Sequence, residues 1–232
     1  AKKAVRLVEN RVKIVFLFAD LAIWCRFAGN FQTDIFCKHL DRRQKVHTVK
    51  FHYKAQSIAT GASMRLAQAG AEVIKIERPE GDFARGYDTA VAGESSYFVW
   101  LNAGKKSVVL DLQQGEQVEM LGQLISQSDV FVQNLKPGAL AKLGLQLDAL
   151  HEQHPKLISM SISGFAADGP GHSRKAYDLL MQAESGLSSI TGSPHAAGRV
   201  GVSLVDIATG QFAYEAVLGA LIQRGQSGQG EI

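Results

Sequence analysis

Two aspartates in the stretch from Gly164 to Asp206 are the residues of this chain best suited to covalent chemistry. Asp178 opens an apolar segment, and Asp206 ends the sequence VSLVD (202–206), with glycine-rich loops on either side. Ionised carboxylates are rarely buried without a partner or a task. Because a well-placed carboxylate can act as a nucleophile, both residues are candidate catalytic groups.

Each aspartate also has a purely structural interpretation. The apolar pattern predicts a helix that begins near Ser203, so Asp206 would lie in its first turn, where the helix dipole favours a carboxylate. Asp178 could cap the N-terminus of a helix with the sequence DLLMQAESG (178–186). Spacing alone leaves the structural and the catalytic interpretation open for both residues.

Motifs of several other enzyme classes do not match. The sequence GPGHSRK (169–175) lacks the GxxxxGK[ST] spacing of a phosphate-binding loop, and HEQH (151–154) is one residue short of the zinc-binding HExxH. GxSxG is absent, and no GxGxxG follows a predicted strand. We therefore predict no metal site and no nicotinamide-binding fingerprint.

The composition is that of an ordinary globular protein. The 232 residues are 46% hydrophobic, enough for one substantial core or two modest ones. The net charge is +3, and the 25 Lys and Arg are dispersed, which argues against a nucleic-acid-binding arm or a polybasic membrane patch. A small anionic ligand suits this balance better.

The first 48 residues have no sustained hydrophobic period and form an unassigned N-terminal extension. Their apolar run 14–24 follows a basic start, as in a signal peptide, but Asp20 interrupts it and no small-residue cleavage site follows. The run is too short to span a membrane. Cys25 and Cys37 are not in a CxxC or zinc-like spacing. We therefore expect a cytoplasmic protein without a membrane partner.

From residue 49 onward, short strand patterns alternate with helical ones. Strands are predicted at 49–54, 72–77, 106–112, 129–133 and 156–165, and helices at 57–70, 115–127, 147–154 and 202–224. This alternation predicts an α/β fold, a Rossmann-like and mostly parallel sheet with helices on both faces. Ligands of such sheets bind at the carboxyl ends of the strands. The chain ends where another strand would be expected, so we interpret it as incomplete.

Five blocks of sequence carry a resemblance to a known family. They are AGAEVIKIERPEGDFARGYD (69–88), LNAGKKSVVLDL (101–112), VQNLKPGALAKLGL (132–145), SGFAADGPGHSRKAYDLLMQAESG (163–186) and VSLVDIATG (202–210). Together they resemble the family III CoA-transferases, the CaiB/BaiF group, over roughly residues 49–230. Several blocks in the right order are more specific than any one motif.

The resemblance implies that coenzyme A is moved between an acyl-CoA donor and a small carboxylic acid, such as a dicarboxylate, through a covalent aspartyl intermediate. The family's nucleophile matches Asp206, and a second acid that orients the substrate or the anhydride matches Asp178. Coenzyme A is then a substrate, and no cofactor is bound permanently. The racemases that resemble this family have His before the second acid, where this chain has Tyr177, so a two-base racemase is disfavoured.

The resemblance also implies a set of positions that contact coenzyme A. They are Arg78, Leu110, Asp111, Leu112, Gln113, Asn134, Leu135, Lys136, Lys142 and Lys175. Family members often have Lys where this chain has Gln113 and an aromatic residue where it has Leu135. Ser57 stands where a Gln that supports the acyl oxygen would be expected. Any one of the basic residues could instead be a solvated surface charge.

The same resemblance sets the predicted organisation. Residues 49–232 correspond to an incomplete large domain, because family members continue into a second domain that completes an interlocked homodimer. Two alternatives to the transferase remain open. One is an acyl-CoA racemase or epimerase, and the other is a non-catalytic CoA-binding fragment.

Overall fold

The computed structural model describes the backbone of residues 47–51, 57–166 and 168–232, with side chains from residue 59 onward. These ranges belong to one compact unit, 45–232. The predicted N-terminal extension, with its apolar run and both cysteines, lies outside the described residues, apart from its last two positions. The domain boundary after residue 48 stays a prediction.

Within the described residues, five parallel strands form a single sheet. They are β1 (His47–Phe51), β2 (Glu72–Glu77), β3 (Lys105–Val109), β4 (Val130–Gln133) and β5 (Ile158–Ser161). Their order in the sheet is β3-β2-β1-β4-β5, and every neighbouring pair is parallel. The chain thus builds one side of the sheet and then returns past β1 to build the other, which places a topological switch point between β1 and β4.

Helices connect the strands. They are α1 (Ser57–Gln68), α2 (Ser96–Asn102), α3 (Gly115–Ser126), α4 (Ala139–Lys142), α5 (Leu147–Gln153), α6 (Asp178–Glu184), α7 (Leu187–Ile190) and α8 (Leu204–Ser227). A short 3₁₀-helix, Phe83–Gly86, lies in the loop after β2.

Apolar residues on both faces of the sheet explain its layers. In β4, Val130 and Val132 join a core cluster with α1 and α8, whereas Phe131 between them joins a second cluster with α3 and α5. Successive strand side chains point to opposite faces, so this alternation places helices on both sides. The predicted parallel α/β sheet is confirmed.

The predicted strand at 72–77 is confirmed in full, whereas others differ at their ends. The strand predicted at 106–112 ends at Val109 in the structure. Leu110 and Leu112, which extended the predicted strand, are buried in the core beyond its end. The first strand begins at His47, two residues before the predicted start. Element ends are poorly specified by pattern alone, since burial outside a strand produces the same apolar signal.

Helix α8 is the longest element and is fixed near both ends. Its buried residues are Gly210, Ala213, Tyr214, Val217 and Ala220, and all but Gly210 pack in the α1 cluster. Near its C-terminus, Arg224 Nη2 donates to Asp129 Oδ1 at 2.9 Å and Nη1 donates to the Lys156 carbonyl at 3.1 Å. By length and composition α8 could also cross a membrane, a test that core helices of globular domains pass as well.

Gly164, after β5, meets the segment that precedes α6 at very short range. A Cβ placed on Gly164 would lie 1.9 Å from Ala176 Cβ, well inside any real contact. This close approach brings Lys175, Tyr177 and Asp178 back to the carboxyl end of the sheet. The glycine is therefore required by space.

We expect Gly164→Ala to lower the free energy of unfolding by about 1–3 kcal/mol, because the two backbones must separate. Gly122→Ala is the matched control. A Cβ at Gly122, inside α3, meets nothing within 4 Å, and the added methyl should stabilise the protein by about 0.5–1 kcal/mol. Urea titrations of both variants measure the two changes, and equal stability of Gly164→Ala and the parent would contradict the expectation.

Candidate active site

The predicted ligand positions share one edge of the sheet. Arg78 follows β2, Leu110 follows β3 and Asn134 follows β4, each at the carboxyl end of its strand. Since all five strands are parallel, these ends face the same way. β1 lies between β2 and β4, so Arg78 and Asn134 flank the switch point where such folds bind ligands.

Asp206 lies in the first turn of α8, as predicted, and an acid from another helix holds that turn. Ser203 occupies the N-cap position of α8 but makes no side-chain capping bond. Instead Asp178 Oδ1 accepts from the backbone N–H of Val205 at 2.8 Å and of Asp206 at 3.3 Å. The two acids that the sequence singles out are therefore neighbours, with Asp178 bonded to the backbone of Asp206.

The proposed capping role of Asp178 in its own helix is wrong. Tyr177 occupies the N-cap position of α6, and Asp178 is the first helical residue, with no capping bond from the Tyr177 side chain. The Asp178 carboxylate instead accepts from backbone N–H groups of α8 to which the Ser203 side chain does not bond. Tyr177 is 57% exposed.

Gln182 is a buried residue of the site that the sequence analysis missed. Its Nε2 donates to Asp178 Oδ2 at 2.6 Å, so each Asp178 oxygen has a donor. An isolated glutamine in a helical pattern is usually a surface residue. Its spacing of four residues from Asp178, on the same face of α6, is the one local signal that could have found it.

Tyr87 is a second residue that the sequence analysis missed. Partial burial raises the pKa of its phenol, and the nearby Asp82, Tyr97 and Asp206 raise it further. The phenol therefore lies within the electrostatic reach of Asp206 and remains protonated at neutral pH. Its ring also packs against Tyr97, at a centroid distance of 5.7 Å.

A buried ion network fixes the loop that carries Arg78 and Tyr87. Lys75 points out of β2 and pairs with Asp82 at 2.5 Å and with Glu77 at 3.4 Å. Glu77 also accepts from the backbone N–H of Asp82 at 3.2 Å. Arg85 stacks on the Phe98 ring, 3.8 Å from its centroid, and so joins the loop to α2. Buried charges of this kind are stable only when each has partners.

Asn134 has the environment expected of a ligand-binding amide. Both Nδ2 and Oδ1 are buried, and neither has a hydrogen-bond partner within the part of the chain that the structure describes. Unsatisfied buried polar atoms are rare and need an explanation such as a ligand or water. Within the described residues, Arg78 donates through Nε to the Gly81 carbonyl at 3.0 Å, and the same nitrogen lies 3.7 Å from Glu80, so both Nη groups stay available for a ligand.

The remaining predicted CoA contacts divide into two groups. In the first group, Leu110 and Leu112 are buried in the core. Asp111 accepts from the backbone N–H of Gln113 at 3.0 Å. This segment could therefore contact a ligand mainly through its backbone or through Gln113. Leu135 packs against the core. The second group consists of three solvent-exposed basic residues, Lys136, Lys142 and Lys175.

A small pocket lies between α1, the 3₁₀-helix and α2. Its walls include Thr60, Asp82, Tyr87, Tyr97 and Asn102, and it has room for about one water molecule. Asn102 Oδ1 is buried there and has no partner among the described residues. One wall of the pocket is the Tyr87 phenol that lies near Asp206.

Lys105 is a half-buried amine behind this pocket. Its Nζ donates to the Thr60 carbonyl at 2.9 Å. Burial and then the charge of Lys75 lower its pKa to about 6, against a smaller opposing effect of Asp82. The amine is therefore mostly uncharged at neutral pH.

Comparison with known proteins identifies the family. Residues 55–232 match the model of CoA-transferase family III. The chain belongs to this family. A crystal structure of a CaiB/BaiF family protein from Brucella suis superposes with a TM-score of 0.75 at 35% identity, over 81% of this chain and 51% of that one.

Curated relatives of this family III chain are named as CoA-transferases. The human succinyl-CoA:glutarate CoA-transferase is 40% identical over 172 residues, which cover 73% of this chain and 39% of that protein. The formyl-CoA:oxalate CoA-transferase of Streptomyces avermitilis is 38% identical over 174 residues, 73% of this chain and 42% of that protein. The chain thus spans about two fifths of the length of these curated relatives.

The stability of this family III chain should rise with pH because of Lys105. The pKa of Lys105 is about 6 in the folded protein, against an ordinary value of 10.5. Between those two pH values, the unfolded state therefore binds a proton that the folded state does not. The free energy of unfolding therefore increases with pH across that window, by at most about 1.4 kcal/mol per pH unit, and the gain is lost towards pH 6. Lys105→Met should flatten this slope.

Urea titrations at pH 6.5, 7.5 and 8.5 measure the slope. Lys106→Met is the matched control, because Lys106 is the next residue of β3 and is exposed. It should keep the parent's slope. If Lys105→Met also keeps that slope, the conclusion that Lys105 is uncharged in the folded protein is wrong.

Proposed function

We propose that this protein transfers coenzyme A from an acyl-CoA donor to a small carboxylic acid, with Asp206 as the covalent nucleophile. The observation that carries the proposal is the bond from the Asp206 backbone N–H to the carboxylate of Asp178, 3.3 Å long. It fixes the backbone of Asp206 in the first turn of a long helix on a family III domain, and the Tyr87 phenol lies within electrostatic reach of the Asp206 charge. Nucleophilic catalysis requires such fixed geometry.

The reaction proceeds by exchange at Asp206. Its carboxylate oxygen attacks the thioester carbonyl of the donor, and the C–S bond breaks to give a mixed anhydride and the CoA thiolate. The thiolate then attacks the Asp206 carbonyl, forming an aspartyl-CoA thioester and releasing the donor acid as its carboxylate. The acceptor carboxylate repeats both steps in the reverse order, which regenerates Asp206 and yields the new acyl-CoA. No net proton, water or electron is consumed.

Residues around Asp206 have separate proposed tasks. Tyr87 is protonated, so it can donate a hydrogen bond to the oxyanion that develops when Asp206 or the thiolate attacks. Arg78 suits the phosphates of coenzyme A, because a guanidinium binds phosphate oxygens through several donors. Asn134 gains partners for its buried amide when the ligand binds.

Dicarboxylic acids are the substrates that the relatives favour. The human relative is named for succinyl-CoA and glutarate and the Streptomyces relative for formyl-CoA and oxalate, and glutarate and oxalate are both dicarboxylic. We therefore propose a short dicarboxylate as the acceptor. We further propose that the protein acts in the cytoplasm as a homodimer, needs no permanently bound cofactor, and requires no membrane or nucleic acid.

Covalent trapping tests the nucleophile. After incubation of the full chain with succinyl-CoA, hydroxylamine should convert Asp206, held as a thioester or anhydride, into a hydroxamate. Mass spectrometry of the peptide that contains Asp206 detects the change. Asp206→Asn should abolish the label and reduce CoA exchange between succinate and glutarate by at least about 1,000-fold, since the covalent route is lost.

Asp148→Asn provides a matched control. Asp148 also lies in the first turn of a helix, α5, and is exposed, so its loss removes a first-turn acid without touching the site. It should retain parent labelling and exchange. An unlabelled Asp206 peptide in a folded chain that still exchanges CoA would exclude Asp206 as the nucleophile.

A further inference from the structure

We infer that Gln182 is a positioning residue for Asp206 and acts through the carboxylate of Asp178. The inference rests on the proposed function, since it assigns Gln182 to the same site. It goes beyond it by assigning a role to Gln182, whose side chain bonds to Asp178, Val200 and Val202. Its side-chain amide would set the orientation of the helix turn that presents the nucleophile.

Gln182 bonds to three residues through one amide. Its Nε2 donates to Asp178 Oδ2 at 2.6 Å and to the Val202 carbonyl at 3.3 Å. Its Oε1 accepts from the backbone N–H of Val200 at 2.8 Å. The side chain is 0% exposed. One buried amide, whose oxygen and nitrogen are both bonded, therefore holds the start of α6 to the segment that leads into α8.

This arrangement determines which way the Asp178 carboxylate faces. Because Gln182 holds Oδ2, the other oxygen is directed at the N–H groups of Val205 and Asp206. Ser203 makes no capping bond that could replace it. Loss of the Gln182 donor frees the carboxylate to rotate and removes the bond to a part-buried acceptor, which is unfavourable. The first turn of α8 would then lose the side-chain cap that Asp178 provides.

The rest of α8 has its own anchors, so this effect is local. Ala213, Tyr214 and Val217 are buried in the α1 cluster, and Arg224 bonds to Asp129 at the opposite end. These contacts do not involve Gln182. Loosening the first turn should therefore misplace Asp206 while the domain stays folded. A displacement of about 1 Å at a reacting group can cost about 100-fold in rate.

Gln182→Met tests the inference, because Met has a similar size and no hydrogen-bonding amide. In the full chain, kcat for CoA exchange between succinate and glutarate should fall about 10- to 100-fold. The dissociation constant of free coenzyme A, measured by calorimetry, should change by less than about threefold. Hydrogen exchange of the Val205 and Asp206 amides, measured by NMR, should accelerate.

A double-mutant cycle separates positioning from a merely structural role. If Gln182 acts through Asp178, the variant with both Gln182→Met and Asp178→Asn should have the same kcat as Asp178→Asn alone. Multiplicative losses of kcat would overturn the inference. Gln211→Met is the matched control, since Gln211 donates to Glu215 at 3.1 Å in the same amide-to-carboxylate pairing on α8. It should leave kcat unchanged.

Two further outcomes are decisive. If Gln182→Met does not fold, Gln182→Asn replaces it, because Asn keeps an uncharged amide but is one methylene too short to hold the bond to Asp178 Oδ2. The same loss of kcat is expected, and parent kcat would overturn the inference. If the parent protein forms no aspartyl-CoA, the proposed function is wrong. If hydrogen exchange of the Val205 and Asp206 amides is unchanged in these variants, the positioning role of Gln182 is wrong, whatever the proposed function.

Discussion

The bond between the Asp178 carboxylate and the first turn of α8 is the interaction on which the site depends. A helix leaves its first N–H groups without partners in the helix itself, and the residue placed to cap α8 does not do so. An acid that is distant in sequence supplies the acceptor. The position of Asp206 is thus set by tertiary structure, because its backbone N–H depends on the carboxylate of Asp178.

The sequence predicts the sheet and the place of Asp206 because both depend on local patterns. Apolar alternation locates β2, and the helical period together with Ser203 locates the start of α8. It does not predict what Asp178 binds, because its partners lie 27 and 28 residues away. Local capping rules predict that Asp178 caps its own helix, whereas its carboxylate bonds to the first turn of α8.

Tyr87 and Gln182 show a second limit of sequence interpretation. Both residue types are common on protein surfaces, and their functional surroundings come from contacts between separate elements. Tyr87 is brought towards Asp206 by a loop that Lys75 and Asp82 anchor beneath it. Lys75 itself alternates with apolar residues in β2, so a solvent-facing lysine would be the natural expectation, yet it is 1% exposed and its charge is neutralised inside the domain.

Because α8 is anchored near both ends, a change at one end of this rigid helix moves the other end. Its 24 residues span about 36 Å, with Asp206 near one end and Arg224 near the other. A tilt of only a few degrees about the Arg224 end would displace the Asp206 end by more than about 1 Å over that length. The pairing of Arg224 with Asp129, although remote from the reacting carboxylate, therefore belongs to the alignment of the site as much as to the stability of the fold.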